Sequence, residues 1–101
     1  MQKQHYFEFN QEKNFLIFKE RGVTFEQVIA LIEQQDYMLD IQDHPNKNKS
    51  PNQKIYIVEI DGYCYLVPCV INEDKVFLKT IIPSRKATKE YIKAKGNYEK
   101  V

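Results

Sequence analysis

Arg85 and Lys86 stand where an apolar run, Thr80-Ile81-Ile82, passes through Pro83-Ser84 into a helical pattern, with Lys79 just before and Lys89 just after. Cations at a helix N-terminus oppose the helix dipole, at a cost of about 0.3–1 kcal/mol each near the surface. Stability alone would place Asp or Glu there. Beside the unpaired N–H groups of a first helical turn, these side chains predict a site for a phosphate or another anion.

The charge distribution of the 101-residue chain agrees with a basic surface at its end. Residues 75–101 hold eight Lys and Arg against two Asp and Glu, whereas residues 1–44 hold four against eight, so a net charge of +1 conceals a steep gradient. A balance of +6 over the last quarter suits a phosphate backbone or an acidic partner, or else a solvated basic helix. The length predicts one domain over residues 1–101, and 43% apolar with 29% charged residues is ordinary for a globular chain. With no leader, no apolar run of about 18 residues and no lipidation motif, the expectation is a cytoplasmic protein away from membranes. Cys64 and Cys69 lie five apart in one predicted strand, so they should face opposite ways as reduced thiols. Nothing in the spacing of Cys and His calls for a metal or other cofactor.

The elements that must position the cations follow from turn and cap signals. Tyr6-Phe7-Glu8-Phe9 reads as a short strand, and Asn10 can cap a helix from Gln11 to about Arg21 that stops at Gly22. Phe15, Leu16 and Phe18 are its expected buried side. Thr24 with Gln27 forms a capping box for a second helix to about Gln35, with Phe25, Val28, Ile29 and Ile32 on its inner face. A strand from Tyr37 to Ile41 and a polar loop, His44 to Asn52, lead to a hairpin of Lys54 to Ile60 and Tyr63 to Ile71. Its Asp61-Gly62 pair favours a type I′ turn. A strand from Val76 to Ile82 and a basic helix from Arg85 to about Lys95, ended by Gly96, complete the chain.

Pairing Ile60 with Tyr63 sorts the hairpin into two faces. One carries Lys54, Tyr56, Val58, Ile60, Tyr63, Tyr65, Val67 and Cys69; the other carries Ile55, Ile57, Glu59, Cys64, Leu66, Pro68 and Val70. The second, more aliphatic face is expected to receive the first two helices, leaving the tyrosine face partly open. Glu59 and Pro68 predict an edge position or a bulge.

Three segments then resemble the BrnT family of bacterial type II toxins: Phe7-Glu8-Phe9-Asn10-Gln11-Glu12-Lys13-Asn14, Lys19-Glu20-Arg21-Gly22-Val23-Thr24-Phe25-Glu26 and Ile81-Ile82-Pro83-Ser84-Arg85-Lys86-Ala87. The family pattern runs F-x-W-D-x-x-K-N, K-H-G-V-x-F-x-E and R-I-I-S-A-R-K-A. Here Phe9-Asn10 replaces Trp-Asp, Glu20-Arg21 replaces the His before Gly22, Thr80 stands for the strand Arg, and Lys54 stands for an Arg. The resemblance implies an α+β, RelE-like fold, with two N-terminal helices on an antiparallel sheet of about four strands and a basic C-terminal helix. It also implies metal-independent endoribonuclease activity that inhibits translation, and a cognate antitoxin encoded next to the toxin.

Metal-free RNA cleavage uses the ribose 2′-OH as nucleophile, so the protein must move two protons and stabilise charge on phosphorus. Arg85 can grip two phosphate oxygens, with Lys86 or Lys79 adding point charge. His44, at the mouth of the loop, is the candidate general acid or base, and Lys54 and Lys79 are candidate proton donors. Tyr56, Tyr63 and Tyr65 could stack on unpaired bases beside Lys89, or pack beneath the terminal helix. A catalytically inactive RelE-like module that binds RNA or an antitoxin through the same basic surface is the alternative, favoured by Thr80 and Glu20-Arg21. Oligomeric state is open at this level.

Overall fold

A computed structural model describes residues 6–34, 38–43 and 52–93. His5, His44 with the loop from 44 to 51, and the expected helix end at Gly96 lie outside the described residues.

Local chemistry sets the first elements where the sequence places them. After β1 (Tyr6–Glu8), the Asn10 side chain accepts the Lys13 N–H at 2.8 Å and starts α1 (Gln11–Arg21). Gly22 ends it with φ 73°, a left-handed conformation that costs glycine little. Its N–H returns to the Phe18 carbonyl at 2.8 Å. The capping box of α2 (Phe25–Gln34) is reciprocal: Gln27 N–H donates to Thr24 Oγ1 at 3.1 Å, and Thr24 N–H donates to Gln27 Oε1 at 3.2 Å.

The orientation of α1 differs from expectation. Asn14 and Ile17 are its buried residues, while Phe15, Leu16 and Phe18 remain 61%, 53% and 54% exposed. The cause is a polar contact that hydrophobic spacing cannot reveal. Asn14 Oδ1 accepts the Phe25 N–H at 2.7 Å, and Asn14 Nδ2 donates to Glu26 Oε1 at 2.8 Å. Asn14 thus satisfies a donor in the first turn of α2, and the aromatic side of α1 is turned out. Phe25 is fully buried and stacks on Phe9 with ring centroids 5.0 Å apart.

The remaining elements are β2 (Met38–Asp43), β3 (Gln53–Ile60), β4 (Tyr63–Asn72), β5 (Lys75–Leu78), β6 (Ile82–Pro83) and α3 (Arg85–Thr88), which continues as a π-helical turn over Lys89–Lys93. The fold is α+β, but the sheet has six strands and is mixed rather than a four-stranded antiparallel one. Its order is β1-β5-β4-β3-β2, with β1 parallel to β5 and β6 antiparallel to β4. The run expected as one strand, Val76 to Ile82, is divided, because β4 changes partner along one edge. Cys69 to Asn72 pair with β5, and Tyr65 with Leu66 pairs with β6.

Pro68 lies at that change of partner. In the hairpin its missing N–H faces away from β3, towards the stretch between β5 and β6, so no ladder bond to β3 is lost. Its carbonyl still accepts the Lys79 N–H at 2.8 Å.

The hairpin register is the expected one, with Ile60 opposite Tyr63 and φ of 53° and 77° at Asp61 and Gly62. Glu59 needs no edge strand, since it pairs with Cys64 next to the turn. The faces, however, are covered the other way round. Tyr56, Val58, Ile60, Val67 and Cys69 join Ile17, Val23, Phe25, Val28 and Ile32 in the main core, beneath α1 and α2. Register with β5, Cys69 to Leu78 and Ile71 to Val76, adds Val76 and Leu78 to this face, making it the larger apolar floor. Ile57 and Cys64 meet Ala87 on the opposite face. The two thiols are therefore free, buried and on opposite sides of the sheet.

Replacing Asn14 with Ala leaves the buried Phe25 N–H without its partner, a loss of about 1–3 kcal/mol. Urea denaturation should show that decrease, and a loss below about 0.5 kcal/mol would be that of an ordinary surface position.

Candidate nucleic-acid interface

The basic helix is tied to the sheet by hydrogen bonds from both of its ends. Ser84 caps it, with Oγ accepting the Ala87 N–H at 3.1 Å, while Ser84 N–H donates to the Cys64 carbonyl at 2.9 Å. Thr88 Oγ1 donates to the Ser84 carbonyl at 2.7 Å and accepts the Cys64 N–H at 2.9 Å. Four residues of spacing thus place a buried hydroxyl on the polar edge of β4. Ala87, Tyr91 and Ile92 pack with Leu39, Ile57, Cys64 and Leu66.

Further along, Tyr91 OH donates to Asp40 Oδ2 on β2 at 2.7 Å, and Gln42 Nε2 donates to Tyr91 OH at 3.2 Å. The bond from Tyr91, with a second from the Ile41 N–H, holds the Asp40 carboxyl below its ordinary 3.8. The same bond to Asp40 holds the Tyr91 phenol above its ordinary 10.0. The sequence reading missed this trio, whose members are 49 and 51 residues apart. An Asp-x-Gln strand pattern gives no sign of a distant tyrosine.

With one side fixed in this way, Arg85, Lys86 and Lys89 are all exposed on the other. Their spacing of three and four residues gives them a shared helical face, with the exposed Glu90 next to Lys89 in sequence. Tyr63 and Tyr65 flank the same part of β4, on the opposite side of the sheet. Tyr65 lies across from Pro83, and the two half-buried rings meet edge to face with centroids 5.9 Å apart. Exposed Ile82 and Pro83 run between the tyrosines and the cations. The cations and the two rings thus lie on opposite sides of the sheet, with the Ile82-Pro83 edge between them. The cations can attract phosphates by charge, and the open parts of the rings, round the edge, can offer surface to bases.

Other expected site residues lie elsewhere. Lys54 is on the α1 and α2 side of the sheet, opposite Cys69, and forms an ion pair with Asp43 of β2. Four residues along β4 separate Cys69 from Tyr65, about 13 Å of strand. Lys79 is exposed but borders a groove of about 580 Å³ with Lys13 and Leu16 of α1. Tyr56 is 5% exposed in the main core, and burial pushes its phenol up to about 12. It is thus closed to a stacking base and lies under α1 and α2, not the terminal helix. Burial also pushes the Cys69 thiol up to about 11 and raises that of Cys64, so neither is a ready nucleophile at neutral pH.

The structure therefore places Arg85, Lys86 and Lys89 on one exposed helical face, Tyr63 and Tyr65 across the sheet from them, and Lys54, Lys79 and Tyr56 elsewhere. Among the described residues no three His, Cys, Asp or Glu side chains form a metal-ligating group, and no helix is long and apolar enough to cross a membrane. Comparison with protein-family models, curated proteins and solved structures finds no match to this chain.

The Asp40 and Tyr91 shifts define where the helix anchor contributes. A lowered carboxyl stabilises the fold above its ordinary 3.8 and loses that contribution as pH falls through the lowered value; a raised phenol stabilises below 10.0 and loses it as pH rises through the raised value. The anchor is thus fully present from roughly pH 4 to pH 10. In Asp40→Asn, NMR titration should find the Tyr91 phenol returned towards 10.0. An unchanged Tyr91 titration would mean that the contact does not hold the helix in solution.

Proposed function

We propose that this chain is a RelE-like, BrnT-like module that binds single-stranded RNA through the exposed face of its C-terminal helix, as the toxin partner of a bacterial toxin–antitoxin pair. The observation that carries this reading is the shared exposure of Arg85, Lys86 and Lys89 on a helix whose other face is fixed by Thr88 and Tyr91. Cations carried on an anchored backbone lose less freedom on meeting a phosphate than cations on a mobile tail. Arg85 is suited to a two-oxygen grip, and Lys86 and Lys89 to point contacts with neighbouring phosphates. A strand that passes round the Ile82-Pro83 edge would meet the half-buried Tyr63 and Tyr65, each stack contributing about 1–3 kcal/mol in single-strand binders. A cognate antitoxin would cover the same face with an acidic segment.

Cleavage of the bound RNA is the second reading. It draws support from Arg85 and Lys86 standing together beside the first turn of a capped helix, where a fork and a point charge can share one phosphate. Lys54 and Lys79 do not join them, so the proton-transfer steps would fall to residues such as His44. Binding is accordingly the reading that the geometry supports best.

Fluorescence anisotropy with a single-stranded RNA of about ten nucleotides tests it, since such proteins occupy roughly 4–16 nucleotides. Replacing Arg85, Lys86 and Lys89 together with Ala should weaken binding and make the slope of log K against log salt shallower by about 2, at roughly 0.7 per phosphate contact. An unchanged affinity and slope would remove this helix from the interface. Gel analysis of the same mixtures separates the two readings: chain scission by the wild type, abolished in Arg85→Ala, adds catalysis to binding.

A further inference from the structure

The outward side of α1 carries a pattern that its own fold does not use. At about 100° per residue, Asn14 and Ile17 define the inner side, and Glu12, Phe15, Leu16 and Lys19 fall together on the outer one. Positions i, i+3, i+4 and i+7 are the spacing of a buried helical stripe, yet all four residues are exposed here. More than half the surface of Phe15 and Leu16 is open, and Phe18, further round the helix on the Phe15 side, is equally bare. Three large apolar side chains on one solvent-facing helix mark an interaction surface rather than scattered surface residues.

The ends of the stripe identify its partner. Glu12 lies in the first turn and Lys19 in the last, about 10.5 Å apart along the axis. Neither forms an ion pair among the described residues. Lys19 Nζ sits over the Phe15 ring, 5.5 Å from its centroid, which keeps its charge beside the apolar pair. Turning a second copy of α1 antiparallel about a two-fold axis between Phe15 and Leu16 sets Glu12 opposite Lys19, Phe15 opposite Leu16, and the reverse pairs by symmetry. The stripe is complementary to itself in shape order and in charge. Antiparallel helices also place opposite dipole ends together. We propose that α1 is the interface of a two-fold homodimer, with the second copy of this chain as its occupant.

A pair of eleven-residue helices covers less than the roughly 1,200–2,000 Å² of a standard interface, so the dimer is weak and reversible. The inference rests on the α1 stripe alone and not on RNA binding, whose cations lie on the other side of the sheet.

Sedimentation equilibrium of the full chain from about 10 to 500 µM covers the range of a weak association. The wild type should pass from monomer towards dimer, and Leu16→Lys should stay monomeric throughout. Glu12→Lys and Lys19→Glu should each weaken association roughly five- to tenfold, since each sets like charges opposite one another twice per dimer. The double exchange should restore it to within about threefold of wild type. All four positions are exposed, and circular dichroism with thermal melts verifies that each variant is folded. A wild type that is monomeric at every concentration would assign the stripe to another occupant and overturn the proposal. A dimer unaffected by the single exchanges, or not restored by the double one, would overturn it equally.

Discussion

The pair of hydrogen bonds made by Asn14 is the constraint on which the arrangement of this molecule turns. A buried side-chain amide on the second turn of α1 has few ways of being satisfied, and leaving it unpaired would cost more than the bonds themselves contribute. The nearest remedy is the start of α2, where the Phe25 N–H has no carbonyl partner within its own helix. Once Asn14 turns inwards to meet it, the rotation of α1 is set. Ile17 goes to the core, and Phe15, Leu16 and Phe18 go to solvent. With α1 contributing so little to the core, α2 and the β5 residues must supply it. Phe25, Val28, Ile32, Val76 and Leu78 accordingly meet the tyrosine face of the hairpin.

The basic helix depends on a second local accommodation, at Pro68. A proline in a central strand interrupts the bonding of one edge, and here that edge changes partner at the same place. β5 ends, the chain crosses through Lys79 to Ile81, and β6 resumes the pairing lower down. That detour delivers Ser84 to the Cys64 carbonyl and Thr88 to the Cys64 N–H, so the helix begins fastened to the strand it crosses. Tyr91 and Asp40 fasten its far end to β2. The cations on the opposite side are thus carried on a backbone fastened at both ends.

Features set by local chemistry were legible in the sequence: the caps at Asn10, Gly22 and Thr24, the Asp61-Gly62 turn, the hairpin register, and the opposed cysteines. Each depends on residues within a few positions of one another. What was hidden depends on distant partners. The inversion of the sheet faces follows from the pairing of β4 with β5, and the exposure of Phe15 and Phe18 from a bond between Asn14 and Phe25. Hydrophobic spacing treats Phe15-Leu16-Ile17-Phe18 as a core segment, because it cannot weigh one buried amide against three apolar side chains. Of the candidate site, the Arg85, Lys86 and Lys89 cluster was legible because a single helix carries it. Lys54 stands apart from that cluster, paired with Asp43 on a strand whose position the sequence does not display.

The α1 stripe and the three cations lie on opposite faces of one sheet, and this has a consequence for how they combine. α1 is on the side of the main core, whereas Arg85, Lys86 and Lys89 project from the helix on the other side. Two-fold pairing through α1 would leave both basic faces open, so association would not compete with phosphate binding. A single RNA long enough to reach both faces would then meet six clustered cations in place of three, and its second contact would be an intramolecular one. Weak pairing would thus be strengthened by a long RNA and left unaffected by a short one, because only the long strand spans both copies.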